Sequence, residues 1–266
     1  MLSNPELSIV VPVCNQADLT KQCFSSIQMH TRSAFELIWV DNGSLSTAFN
    51  EIKDYVVTHS INCKVIVNPD NTGFIKATNQ GIKLAQGKYV ILLNNDTIVM
   101  PNWDTELLKP LIRFPHVGAV GPITQNSTWQ YPEEINRIFN LDLPSYTTLS
   151  VDFFNRLNKF KDQYIDITPR PLYFFCVAMR KTLFDEIGYL CEDLFIGLGD
   201  DDDLCNRICK KNYKLLLSLG TFIYHVHRAT FDAMMIDVAS LSRHNMRILR
   251  EKERAKNTET KSDSQV

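Results

Sequence analysis

The 266-residue sequence predicts an α/β protein built on a mostly parallel sheet with helices on both faces. Three observations carry that reading. Leu7–Val13 (LSIVVPV) is an unbroken apolar run with β-branched residues, as in a strand buried on both sides. Runs of this kind alternate with helix-period segments through the first half of the chain. Polar clusters follow the strands directly, at Asp41-Asn42-Gly43-Ser44 and Asn94-Asn95-Asp96, where sheets of this class place their ligands.

The elements follow in order. Residues 18–30 carry Leu19, Cys23, Phe24 and Ile27 at helical spacing, and residues 35–40 form the next strand, closed by the Asp41–Ser44 turn signal. A helix over 47–58 leads to a strand over 63–67. Asn71-Thr72-Gly73 breaks the chain before a helix over 75–85; Gly87 ends that helix, and Tyr89–Leu93 is a fourth apolar strand. Trp103–Arg113 reads as a helix and 117–121 as a strand. Residues 124–170 mix polar and aromatic residues without a period and yield no assignment. Beyond them come a strand over 174–179, a short helix over 182–187 and a helix from about Leu204 to Lys211. Short strands over 214–217 and 222–224 follow, then an amphipathic helix over 233–254 that is rich in Arg and Lys. The expected organisation is one domain over 1–256, with halves at 1–123 and 124–232, a final helix over 233–256, and a disordered polar tail at 257–266.

Composition narrows the function. Lys and Arg number 28 against 30 Asp and Glu, a net charge of -2, so no global basic field draws nucleic acid. Hydrophobic residues make up 44%, enough for one large core. The seven cysteines are odd in number and show no CxxC pair, which points to reduced thiols in a cytosol. Cys205 and Cys209, four apart on a helix, fit buried free thiols better than a metal pair. Nothing resembles a signal peptide, and no run of about 18 apolar residues could span a membrane.

Three clusters carry chemistry. In Asn94-Asn95-Asp96-Thr97 a buried strand delivers two amides and a carboxylate to the ligand edge; the carboxylate can hold a hard divalent cation, although a polar turn would use the same residue types. Gly199 precedes four consecutive carboxylates, Asp200 to Asp203. Some of these cap the helix that follows, but capping explains all four poorly, and crowded like charges raise the pKa of a base. Tyr224-His225-Val226-His227 ends a short strand, so both imidazoles face the same way and could approach one ion.

These clusters, in this order, resemble the family 2 glycosyltransferases of the GT-A fold. The resemblance begins at Val11-Pro12-Val13-Cys14-Asn15 and continues through Val40–Ser44, Asn71-Thr72-Gly73-Phe74 and Asn79-Gln80-Gly81. It resumes at Leu93–Thr97, with Pro101 and Trp103, then at Phe195 and Gly199 to Arg207, and ends at Tyr224-His225 with Ala229-Thr230-Phe231. Residues 125–171 stay unmatched.

The resemblance implies an inverting, metal-dependent transfer of a sugar from a nucleotide diphosphate donor. The uridine donor is the default and the thymidine donor second. The acceptor is a hydroxyl on a glycan, lipid-linked or protein-linked molecule, in surface glycan or polysaccharide synthesis. Pro12, Asn15 and Asp41 would line the nucleobase and ribose pocket, supported by Asn71 and Gly73, with Val13, Asn79, Asn94 and Asn95 on the donor side. Lys76 either touches the donor or is a solvated helix residue. Asp96 and His225 would hold Mn2+ or Mg2+, and Asp200 or Asp201 would be the general base.

Two positions depart from the family pattern. Asn94 stands where many members carry Asp, and Asp200 where Glu is usual. The other reading of the chain is a non-catalytic sugar-nucleotide or glycan-binding module of a larger assembly, which would have had no need to keep Asp96, the acid cluster and His225. The expected location is cytoplasmic, with the basic late helix either at the inner membrane face or simply solvated.

Overall fold

The computed structural model describes residues 5–125, 130, 151–194, 197–226 and 237–263, with the backbone alone at 151–152, 238 and 253–263. His227, Phe195 and the Ala229–Phe231 segment lie outside the described residues.

Ten strands are described: β1 (Leu7–Val13), β2 (Phe35–Asn42), β3 (Cys63–Asn68), β4 (Tyr89–Leu93), β5 (Thr97–Ile98), β6 (Val117–Ile123), β7 (Tyr164–Asp166), β8 (Cys176–Arg180), β9 (Lys214–Phe222) and β10 (Tyr224–His225). Eight form one sheet in the order β3-β2-β1-β4-β8-β6-β9-β7, and β5 and β10 form a separate two-stranded ribbon. β1 runs parallel to β2 and β4, and β2 to β3. β8 is antiparallel to both β4 and β6, so β6 runs with β4; β9 is parallel to β6, and β7 opposes β9. Six of the eight strands therefore point the same way. Their carboxyl ends share one edge, and all the predicted site clusters except the acid cluster follow a strand on it.

The alternation of side chains along each strand divides the core. Val10, Ile38, Val40, Val90 and Leu92 pack on one face; Ile9, Val11, Leu37, Trp39, Ile91 and Leu93 pack on the other. Helices α1 (Ala17–His30), α2 (Ser46–Thr58) and α4 (Trp103–Arg113) cover the second face through Phe24, Ile27, Ile52, Leu107 and Leu111. Helices α3 (Phe74–Leu84), α6 (Leu183–Ile187) and α7 (Asp200–Lys210) cover the first through Ile75, Ile82, Leu183, Leu204 and Ile208. The region without a sequence period contains a short helix, α5 (Val151–Leu157), and edge strand β7.

Three elements differ from expectation. α7 begins at Asp200 rather than near Leu204, because the N-terminal turn of a helix favours carboxylates and all four acids fall within it. β9 is one strand across Ser218, whose hydroxyl is satisfied by Thr221 at 3.2 Å, so the polar interruption does not break it. The last helix, α8 (Val238–Asp263), continues through residues 257–263, which the sequence reading assigns to a disordered tail. That stretch has neither Gly nor Pro, and each added residue closes a hydrogen bond once a helix exists.

The direction of α7 matters for function. Ile208 packs at Gly118 near the start of β6, while Cys205 meets Leu172, which lies against Gly121 further along that strand. The helix thus runs against β6 and brings Asp200 to the edge where β6 ends.

Candidate functional site

The first part of the site is a polar pocket at the ends of β1, β2 and β3. Asn15 and Gln16 turn the chain through left-handed φ values of 58° and 52° into α1. The Asn15 N–H donates to Ser44 Oγ at 2.8 Å, and its side-chain Oδ1 accepts the Leu45 N–H at 2.8 Å, tying the two loops together. Asn42, read from the sequence only as part of a turn, is the hub. It donates to Asn71 Oδ1 and the Gly73 carbonyl, and accepts from Thr72 and Asn68.

Asp41, opposite Val13 in the β1–β2 register, accepts the Ser44 N–H at 3.3 Å through Oδ2. Its Oδ1 is buried with no partner among the described residues. Burial pushes the carboxyl above its ordinary range, against the pull of the Ser44 hydrogen bonds. A buried acceptor without a donor is suited to a ligand N–H or O–H.

Gly43 closes this pocket at φ +72°, and a Cβ there would lie 2.4 Å from the Asn71 nitrogen and from the Asp70 carbonyl carbon. Both neighbours are backbone. Gly43→Ala is therefore expected to cost about 2 kcal/mol or more, read as a Tm lowered by several degrees. An unchanged Tm would mean that the 70–71 segment yields freely.

The second part is the β5–β10 ribbon. It sets His225 opposite Thr97, with the Val226 N–H donating to the Asp96 carbonyl at 3.0 Å. His225 Nε2 lies 3.2 Å from Asp96 Oδ1, with both side chains about nine-tenths buried. Phe175 stacks on the imidazole at 4.9 Å and 13°. Gln125 brackets the His225 backbone, donating to its carbonyl at 2.6 Å and accepting its N–H at 3.4 Å. Neither Gln125 nor Phe175 was signalled by sequence, since each acts through position alone. Asn94 Oδ1 is a further buried oxygen with no partner among the described residues.

Either a proton or a cation between Asp96 and His225 would satisfy both side chains. One acid, one imidazole and a spare amide oxygen suit an ion that takes its other ligands from phosphate and water. Among the described residues, no cluster of three or more His, Cys, Asp and Glu could hold a metal without such help.

The third part is the first turn of α7. Asp203 is committed to structure: it pairs with Arg207 at 2.6 Å, and that guanidinium also donates to the carbonyls of Ile187, Gly188 and Tyr189. Asp200 is buried. Burial pushes its carboxyl up to about 6, helped by the charges of Asp202 and Asp203 and opposed by backbone N–H groups of Leu198 and Asp200 itself. Asp201 is more open but is also raised well above the ordinary range, first by burial and then by Asp200 and Asp202.

The raised Asp200 pKa has a stability consequence. The folded state binds its proton more tightly than the unfolded chain does, so the stabilisation is complete below 3.8 and is lost as pH rises through about 6. Asp200→Asn is expected to raise Tm at pH 7.5, with the gain vanishing by pH 4. A gain independent of pH would mean that relief of a buried charge is not its cause.

The remaining predicted residues are placed as follows. Pro12 and Val13 are buried on β1, and Lys76 is exposed on α3. Two amides turn away from the edge. Asn79 donates to the Leu190 carbonyl and Glu192 and accepts the Leu190 N–H, so its amide anchors the 190–192 segment. Asn95 donates to Thr20 Oγ1 on α1 at 2.9 Å. Cys205 accepts the Leu172 N–H in the core, in keeping with a buried thiol.

Known proteins resemble this chain in sequence and in fold. The model of the family described as glycosyl transferase family 2 matches residues 8–188. Glycosyltransferase GlyG of Streptococcus pneumoniae serotype 4 is 31% identical over 96 residues, 36% of this chain and 32% of that protein. The chain spans 17% to 36% of the length of the curated relatives it matches. Among solved structures, a mannosyltransferase from Pyrobaculum calidifontis in complex with GDP-Man and Mn2+ superposes with a TM-score of 0.63 at 19% identity, over 88% of this chain and 60% of that one. GalNAc-T7 with UDP, GalNAc and Mn2+ superposes with a TM-score of 0.65 at 18% identity, over 85% of this chain and 44% of that one.

Proposed function

Given that the chain belongs to glycosyl transferase family 2 and has the GT-A fold, we propose that it moves a sugar from a nucleotide diphosphate donor to an acceptor hydroxyl with inversion. One observation carries this reading. The orphaned Asp41 oxygen, the Asp96–His225 pair and the raised acids of α7 all lie along one edge of the sheet.

Asp41 takes hydrogen bonds from the nucleoside, and Asn15, Asn42 and Asn71 shape the pocket around it. Asp96 and His225, with Asn94 beside them, would hold Mn2+ or Mg2+; when bound, the ion neutralises the charge that develops on the departing diphosphate. Both structural neighbours have Mn2+ and nucleotides in their complexes, which supports that reading.

Asp201 is the better base of the two acids. It is the more open of the two to solvent, and burial together with the neighbouring Asp200 and Asp202 raises its proton affinity, as suits a group that must take a proton. It removes the acceptor proton as the oxygen attacks the anomeric carbon from the face opposite the diphosphate. That single displacement inverts the centre. A uridine diphosphate sugar is the first donor to test and a thymidine diphosphate sugar the second. The acceptor is a glycan, lipid-linked or protein-linked hydroxyl.

The test is a thermal-stability panel of nucleotide diphosphate sugars with and without Mn2+. A donor at about 100 times its Kd adds roughly 2.7 kcal/mol, and the gain is expected to need the metal. A folded protein that responds to none of them refutes the proposal. Binding without turnover on any acceptor would instead favour a sugar-nucleotide-binding module. No helix among the described residues is long and apolar enough to cross a membrane.

A further inference from the structure

Resting on the proposed roles of Asp200 and Asp201, we infer that Asn245 is a positioning residue for the acid helix: its buried amide locks the left-handed turn from which α7 starts. Three consecutive residues before Asp200 have positive φ: Gly197 at 147°, Leu198 at 70° and Gly199 at 91°. The two glycines take such angles freely, but Leu198 has a Cβ that opposes them. A non-glycine residue persists in this region only where its surroundings over-determine it.

The surroundings come from α8. Asn245 is fully buried, and its Nδ2 donates to the carbonyls of Gly197 at 2.5 Å and Leu198 at 2.9 Å, the two oxygens that the turn directs towards it. Further along the same face, Leu249 and Met246 pack at Gly199, where a Cβ would lie 3.5 Å from Leu249 Cδ1 and 3.8 Å from Met246 Sδ. Lys252 then reaches Cys191 Sγ at 2.9 Å and pairs with Asp193. One face of α8 therefore meets Cys191 and Asp193 at one point and, at another, the 197–199 turn that aims the acids. The Asp203 N–H, which donates to the Gly199 carbonyl at 2.9 Å, is the first helical hydrogen bond beyond that turn.

The test uses the full chain and needs no ligand. Asn245→Leu keeps the branching and the number of side-chain heavy atoms and removes both N–H groups. Amide exchange at Asp203 and Leu204 is expected to speed up roughly tenfold in this variant. Leu241→Ala, one helical turn before Asn245 and without an amide to donate, serves as the control and should leave those two amides in step with the rest of α7. A double-mutant cycle gives a second readout. In a Leu198→Gly background the turn no longer opposes its own backbone, so Asn245→Leu should lower Tm less than it does in the wild type.

Equal exchange in the two single variants, or an additive cycle, would overturn the inference. With the donor identified by the panel, Asn245→Leu should lower kcat and leave the donor KM unchanged; a rise in KM alone counts against it. If exchange and cycle behave as expected but Asp201→Asn transfers normally, the positioning role stands and the assignment of the base falls.

Discussion

Asp201→Asn is expected to lower kcat by about 10²–10⁴-fold, the usual contribution of one side-chain base, while donor binding stays near wild type and Tm at pH 7.5 rises, as it does for Asp200→Asn. The amide occupies the same volume at the first turn of α7 and cannot take a proton. The pH profile carries further information. The carboxyl of Asp201 is held well above its ordinary range by burial and by its neighbours Asp200 and Asp202. A base with a raised pKa is inactive while protonated, so wild-type kcat/KM should still be climbing at pH values above the ordinary carboxylate range, and the climb should be absent in Asp201→Asn. Asp200→Asn makes the contrast. It removes a neighbouring charge that raises the proton affinity of Asp201, so the rising limb should move to lower pH with much of the turnover kept. If Asp200→Asn silences transfer and Asp201→Asn does not, the two acids exchange roles. If neither variant slows transfer, the acid helix is not the source of the base.

The fold was legible where burial leaves a period in the sequence. β1 to β4 and the helices between them were found within a residue or two, because strands buried on both faces read as apolar runs and each covering helix needs a stripe at 3.6-residue spacing. The start of α7 was hidden because its apolar stripe begins only at Leu204, while the first turn is held by charge rather than packing. β8 was recognised as a strand, but its antiparallel insertion between β4 and β6 was not, since strand direction leaves no mark on side-chain alternation.

The same division runs through the site. Asp41, Asp96, His225 and the acid cluster follow from residue type and their place after a strand or before a helix. Asn79 and Asn95 look just as suitable in the sequence, yet their amides are taken by Leu190, Glu192 and Thr20. Those partners lie 111, 113 and 75 residues away in the chain, beyond the reach of any local pattern. Gln125, Phe175 and Asn245 went unnoticed for the converse reason: each acts on backbone or ring geometry that exists only once the strands have paired.

Asp96→Ala should abolish the metal-dependent part of donor stabilisation, an effect as large as the loss of the base. Its carboxylate is one of the two protein groups proposed to hold the ion, and the other, His225, is held by Phe175 and Gln125 whether or not the acid is present. Outer-shell partners of metal ligands typically contribute 10–100-fold to affinity, and a direct anionic ligand should contribute more than that. A donor that adds about 2.7 kcal/mol with Mn2+ at 100 times its Kd should then add no more with the metal than without it. Alanine also strips the buried imidazole of its 3.2 Å partner, so some loss of intrinsic Tm will accompany the change. Asp96→Asn separates the two effects: its amide oxygen can still accept from Nε2, keeping the fold, while the charge that attracts the cation is gone. Loss of the metal response in both variants, with Tm preserved in Asp96→Asn, assigns Asp96 to the ion. A metal response retained in Asp96→Asn would mean that the Asp96–His225 contact is a structural hydrogen bond and that the diphosphate is neutralised elsewhere along the edge.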